Sequence, residues 1–116
     1  VIKCNAGALS QIMTNLIMNS LIHGFEGIHK GTIQINGRRK DNKIFFCYED
    51  DGVGMSADSI KHLFEPFYTT RRNTGGSGLG AHLIYNLVTQ GLHGKIAVSN
   101  KVEGGLRFDI EFPEVE

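Results

Sequence analysis

The stretch KIFFCYED, residues 43–50, is apolar on both of its alternating faces and then ends in two acidic side chains. A strand apolar on both sides reads as an interior strand, with a neighbour on each edge. It runs directly into EDDGVGM, Glu49 to Met55, where Gly52 and Gly54 permit a sharp turn. Such a turn would ordinarily be exposed and easily replaced, so its position at the end of an interior strand needs a reason. A second strand alternates cleanly: in GGLRFDIEFP, Leu106, Phe108, Ile110 and Phe112 face in, Arg107, Asp109 and Glu111 face out, and Pro113 closes it. GTIQINGRR places Ile33 and Ile35 on one face, KDN is a hairpin turn, and GKIAVSN is a further strand.

The helices are equally legible. NAGALSQIMTNLIMNSLIHGF carries Leu9, Ile12, Met13, Leu16 and Ile17 at helical spacing, with Asn5 or Ser10 near its start and Gly24 at its end. SADSIKHLF is a short capped helix, and LGAHLIYNLVTQGL is a second amphipathic helix with Leu79, Leu83, Leu87 and Val88 inward. The order is helix, two strands, short helix, loop, helix, two strands. That predicts an α+β fold, with helices on one face of a mostly antiparallel sheet and hairpins for the first and last strand pairs. The segment from Met55 to Gly78 is mostly irregular around the short helix, and a long irregular segment in a small domain is usually functional or disordered.

A length of 116 residues suits one domain with a single core. Twelve basic side chains balance twelve acidic ones, so no global field recruits nucleic acid or an anionic membrane; a local phosphate patch stays open. Cys4 and Cys47 each lie in an apolar segment without metal-ligand spacing and read as reduced core residues, as in the cytoplasm, with a disulfide as the alternative. No apolar run approaches the ~20 residues needed to span a bilayer, and no signal peptide is present. The chain starts at VIKCN without Met, which is expected of a domain cut from a longer protein.

Four stretches carry polar residues that packing alone does not ask for. Asp50, at a strand end, can accept a hydrogen bond from an exocyclic amine such as that of adenine, while Gly52 and Gly54 let the backbone approach a flat ring; an ordinary turn has the same composition. GGSGLGA, 75–81, follows a loop and opens a helix, so free N–H groups and Gly76, Gly78 and Gly80 could cradle phosphate. It lacks the preceding strand of a dinucleotide fingerprint and the Lys-Ser/Thr of a P-loop, and a flexible linker reads alike. On the first helix Asn15, Asn19 and His23 recur every four residues, with Ile22 on the same flank. Asn is a mediocre helix former; its amide oxygen suits Mg²⁺ or simply a nearby backbone group, and His23 could meet the helix dipole or a phosphate. In FEPFYTTRRN, 64–73, Phe64 and Phe67 can anchor a loop whose Arg71 and Arg72 reach phosphate oxygens or remain in solvent.

Together and in this order these stretches carry a resemblance. The chain resembles the catalytic and ATP-binding domain of sensor histidine kinases, in the superfamily of DNA gyrase, the heat-shock chaperone ATPase and the mismatch-repair ATPases. NLIMNSLIHGF is similar to the N box, DDGVGM to the first glycine box, FEPFYTT to the F box, GGSGLGAHLIYNLV to the second glycine box and EGGLRFDIEFP to the closing strand. The resemblance covers essentially all of the chain. It implies a two-layer α/β sandwich of Bergerat type with a mixed, mostly antiparallel sheet, residues 1–116 being the ATP-binding domain of a longer protein. It implies ATP and Mg²⁺ as cofactors, with Asn19 on the metal and Asn19 and Arg71 as the catalytic pair. Asp50 would bind the adenine amine, Gly52, Gly54, Met55 and Leu79 would shape the pocket, and Asn15, His23, Phe67, Thr70, Arg71, Arg72, Gly76, Ser77, Gly78 and Gly80 would line the rest of the nucleotide.

The function so implied is a two-component histidine kinase domain that binds Mg-ATP and donates the γ-phosphoryl to a His on a separate helical dimerisation domain. A response regulator acts downstream; the domain itself would be cytoplasmic and touch neither membrane nor nucleic acid. The parent would be a homodimer, membrane-anchored in most of the family. His29, His62, His82 and His93 lack the acidic neighbour and long helix of a phosphoacceptor. Three positions depart from relatives. Asn15 stands where the superfamily's ATPases have a Glu that activates water, and an amide is a poor general base. Ile22 stands where many kinases have Lys, and Leu106 where relatives often have Thr. The alternatives are an ATPase clamp, against which Asn15 counts, and a serine kinase or anti-sigma binding protein of the same superfamily.

Overall fold

The computed structural model describes residues 3–25, 27, 30–65 and 80–115. Helix α1 spans Ala6–Asn19, and Asn5 is its cap: the side-chain oxygen accepts the Ala8 N–H at 3.1 Å. The row Ala8, Ile12, Leu16 and Ser20, spaced by four, is buried. The buried stripe is therefore narrower than expected; Leu9 and Met13 are half-buried and Ile17 is exposed. A single four-spaced ridge is what one helix needs to seat in the groove of another layer. After Asn19 the helix widens into a π-helical turn, Ser20–Gly24, closed by the Phe25 N–H on the Ser20 carbonyl at 2.8 Å.

Strands β1 (Ile33–Lys40) and β2 (Lys43–Asp50) form a hairpin through Asp41 and Asn42, whose φ angles of 54° and 62° give the left-handed pair that matches strand twist. Short helix α2 (Ala57–His62) is capped by Ser56, and α3 (Gly80–Asn86) passes into a second π-helical turn, Leu87–Gly91. His93, at φ 57°, holds the left-handed position after that turn, and the Gly94 N–H returns to the Val88 carbonyl at 2.8 Å. Strands β3 (Lys95–Asn100) and β4 (Leu106–Pro113) complete a sheet of order β1-β2-β4-β3. Every pairing among the described residues is antiparallel, so the mixed character expected of the sheet is not found in this part.

β2 is interior, as its composition predicts. Ile44, Tyr48 and Asp50 are buried under the helices, while Phe45 and Cys47 are half-buried on the opposite face, where the Arg38 guanidinium lies 4.9 Å from the Phe45 ring centre. β4 buries Leu106, Phe108, Ile110 and Phe112 on the helix side. β1 lies at the edge, and Ile35 is exposed there although it shares a face with the half-buried Ile33. α3 docks on Ala81, Ile84 and Val88, with Leu92 beyond. Leu83, expected inward, is 41% exposed; Leu87 is half-buried and Leu79 lies outside the described residues. The row that α3 and its π-helical turn press on the core is Ile84, Val88 and Leu92, one position on from Leu83 and Leu87. Each buried Ile, Leu or Phe of this core contributes about 1.5–3 kcal/mol. No helix among the described residues is long and apolar enough to cross a membrane.

Candidate nucleotide-binding site

The adjacent carboxylates Asp50 and Asp51 do different things. Asp51 is exposed and its Oδ1 accepts the Thr32 N–H at 2.7 Å, tying the entry to β1. Asp50 is 2% exposed at the end of β2. Its Oδ1 accepts two backbone N–H groups, from Gly52 and Leu106, each at 3.1 Å, and its Oδ2 accepts the Ser20 hydroxyl at 2.9 Å. Four elements thus converge on one carboxylate: the end of α1, the end of β2, the turn after it and the start of β4. A buried carboxylate needs several donors to stay ionised without an ion-pair partner.

Glycines close the space around it. A Cβ on Gly52 would overlap the Gly24 carbonyl, and one on Gly105, at φ 96°, would overlap the Asp50 carbonyl. A Cβ on Gly24 would stand 2.9 Å from Asp50 Oδ2. The Val53 N–H donates to the Gly24 carbonyl at 2.8 Å, which fixes the turn against the end of α1. Gly54, at φ 72°, leaves room for Asn100, whose Oδ1 accepts the Met55 N–H at 3.0 Å and whose amide donates back to the Met55 carbonyl.

Asn19 and Asn15 lie one turn apart on α1, both half-buried. Gly80 opens α3 directly opposite: a Cβ there would come within 3.3 Å of Asn19 Oδ1. Gly80, which opens α3, therefore faces the amide oxygen of Asn19. Asn15 Nδ2 is buried and has no hydrogen-bond partner among the described residues. A buried unpaired donor is costly, by about 1–3 kcal/mol, unless an acceptor arrives to meet it. An unpaired N–H donor beside a hard amide oxygen fits a phosphate oxygen together with Mg²⁺, which takes oxygen ligands, keeps several waters and shares phosphate oxygens. No cluster of three or more His, Cys, Asp or Glu occurs among the described residues.

Of the expected site residues, Asn15, Asn19, Asp50, Gly52, Gly54, Met55 and Gly80 thus fall around the ends of β2, α1 and α3, and His23 lies half-buried in the turn after α1. Phe67, Thr70, Arg71, Arg72, Gly76, Ser77, Gly78 and Leu79 lie outside the described residues. Sequence reasoning missed Ser20, Tyr48, Asn100 and Gly105. Ser20 left a signal: a polar residue in the same four-spaced row as Ala8, Ile12 and Leu16. Cys4 and Cys47 are free and half-buried, and burial pushes both thiols up from their ordinary range.

A two-layer sandwich with a buried carboxylate at its sheet end, glycines packed over it and an Asn opposite a helix-opening glycine defines a class of nucleotide-binding fold. Residues 4–116 match the family described as histidine kinase-, DNA gyrase B- and HSP90-like ATPases, and the chain belongs to that family. It is 34% identical over 109 residues to the signal transduction histidine-protein kinase BaeS of Escherichia coli K12, covering 90% of this chain and 22% of that one. It is similar to the solved catalytic domain of the histidine kinase ThkA, with 26% identity, a TM-score of 0.77, and 93% of this chain matched to 67% of that one. Full-length ShkA, solved in complex with AMPPNP, matches at 26% identity and a TM-score of 0.76, over 94% of this chain and 22% of that one. The chain spans between 13% and 22% of the length of the curated relatives it matches.

Proposed function

We propose that this chain is the ATP-binding catalytic domain of a two-component sensor histidine kinase, and that it presents the γ-phosphoryl of Mg-ATP to a His on a separate helical domain. The observation that carries the reading is Asp50: a buried carboxylate held by two N–H groups and a hydroxyl, and walled by glycines. An ionised carboxylate only accepts, so it selects a base edge that donates, as the adenine amine does. Asn19 Oδ1 would hold Mg²⁺, and Asn15 Nδ2 would donate to a phosphate oxygen. Mg²⁺, when bound, neutralises charge on the phosphates. His23, with Thr70, Arg71, Arg72, Gly76, Ser77 and Gly78, would complete the phosphate side, Phe67 would anchor the loop, and Leu79 would join Met55 in the pocket wall.

Phosphoryl transfer requires positioning and charge neutralisation more than covalent chemistry. The amide of Asn15, unlike a Glu, cannot take a proton from water. That favours transfer to a partner over hydrolysis. By the same reading the domain works in the cytoplasm, within a homodimeric parent, upstream of a response regulator. The test is calorimetric titration with ATP, with and without Mg²⁺. Asp50→Asn should weaken binding at least tenfold, and Asn19→Ala should abolish its Mg²⁺ dependence. Binding that ignores both substitutions overturns the reading.

A further inference from the structure

Behind Asp50 runs a buried chain of hydroxyls. Ser20 is 2% exposed and Tyr48 is 1% exposed. Ser20 Oγ lies 2.9 Å from Asp50 Oδ2 and 2.8 Å from the Tyr48 hydroxyl, which also lies 3.1 Å from the Leu16 carbonyl. The proton inventory fixes the direction. A carboxylate has no proton to give, so the one hydroxyl proton of Ser20 goes to Oδ2. Ser20 Oγ can then only accept from Tyr48, whose proton serves it and is shared with the Leu16 carbonyl. Burial pushes the Tyr48 phenol above its ordinary range, so that proton is retained. Two O–H dipoles therefore point in series at Asp50, and hydrogen bonds in series strengthen one another.

The two oxygens of Asp50 are left unequal. Among the described residues Oδ1 holds two backbone donors and is saturated, whereas Oδ2 holds the Ser20 hydroxyl alone and keeps one acceptor site. The backbone donors anchor one oxygen, and the hydrogen bond from Ser20 opposes rotation of the carboxylate plane about that anchor. Ser20 is in turn held by Tyr48, a ring packed edge-on against Phe108 with centroids 6.2 Å apart.

We propose that Ser20 and Tyr48 are positioning residues for the base-reading carboxylate: they aim the free acceptor site of Asp50 Oδ2, and so set the preference for a base that presents an amine over one that presents a carbonyl at the same place. The proposal rests on the nucleotide reading above. Inosine triphosphate is the probe, because it inverts that edge of the base, with a carbonyl for the amine and an N1–H for the bare N1, and keeps the ribose and triphosphate. The wild-type chain should prefer ATP by about tenfold or more, the effect of one hydrogen bond made against one refused. Ser20→Ala should lower that ratio at least threefold, Tyr48→Phe should lower it less, and Ser20→Thr, which keeps the hydroxyl, should restore it.

A Ser20→Ala chain that keeps its thermal transition and an unchanged ATP-to-inosine-triphosphate ratio overturns the proposal and leaves the nucleotide reading intact. If Ser20→Ala does not fold, Tyr48→Phe and Ser20→Thr decide: equal ratios in the two overturn it, and a lower ratio in Tyr48→Phe alone supports it. A wild-type chain that binds neither nucleotide overturns this proposal and the nucleotide reading together.

Discussion

At the scale of single residues, neighbours in sequence have opposite environments. Asp51 is exposed and staples a loop; Asp50 is buried and is the convergence point of four elements. Tyr48, two residues earlier, packs its ring in the core and spends its hydroxyl on Ser20 and the Leu16 carbonyl. Burial raises its phenol above the ordinary value near 10, and the charge of Asp50 adds to it. A group with a raised folded pKa contributes stability that is complete below the unfolded value and is lost as pH rises through the folded one. Thermal melts from pH 8 to pH 11 should therefore show stability falling above about pH 10. Tyr48→Phe should show a shallower alkaline limb, and should cost about 1 kcal/mol at neutral pH through its lost hydrogen bonds. Parallel limbs in the two proteins would mean that the phenol titrates freely.

At the scale of elements, Gly80 sits where a better helix former would ordinarily be preferred. Gly80→Ala gains up to about 1 kcal/mol of helix propensity. The new methyl lies 3.3 Å from Asn19 Oδ1, the end of a side chain that can shift by the few tenths of an ångström required. The expected outcome is a thermal midpoint no lower than that of wild type, with Mg²⁺-dependent ATP binding weakened severalfold. A loss of stability with binding intact would show that the glycine serves packing instead. The elements themselves were legible: β2 and β4 announced themselves by composition and alternation, and Ser56 and Asn5 by capping chemistry. The phases of the helices were not. Leu83 carries as strong a hydrophobic signal as Ile84, and only the docking of α3 on Ala81, Ile84 and Val88 decides which of them is covered. Ile33 and Ile35 share a face of β1 as their spacing predicts, but the period alone does not tell that Ile35, on the edge strand, is exposed. In the site, Asp50, its glycines and Asn19 could be read from local chemistry, whereas Tyr48 and Asn100 act across sequence separations that one chain alone does not connect.

At the scale of the whole molecule, the first and last described residues are bound to each other. The Val115 N–H donates to the Lys3 carbonyl at 2.8 Å, and Glu114 Oε2 accepts the Lys3 N–H at 3.2 Å and an Arg39 guanidinium N–H at 2.8 Å. The Lys3 N–H holds the Glu114 carboxyl below its ordinary value; burial opposes this, and the Arg39 guanidinium adds to the lowering. A carboxyl with a lowered folded pKa stabilises above its unfolded value and loses that contribution as pH falls through the folded one. Chemical denaturation between pH 6 and pH 3 should therefore show an acid decline that begins near pH 4.5 and is flatter in Glu114→Gln. Identical declines would assign the acid sensitivity to other carboxylates. The same stitch has a kinematic meaning. Polypeptide attached at Lys3 and at Val115 would leave from one place on the surface, so the molecule would swing about a single post, as a gate does, instead of hanging between two.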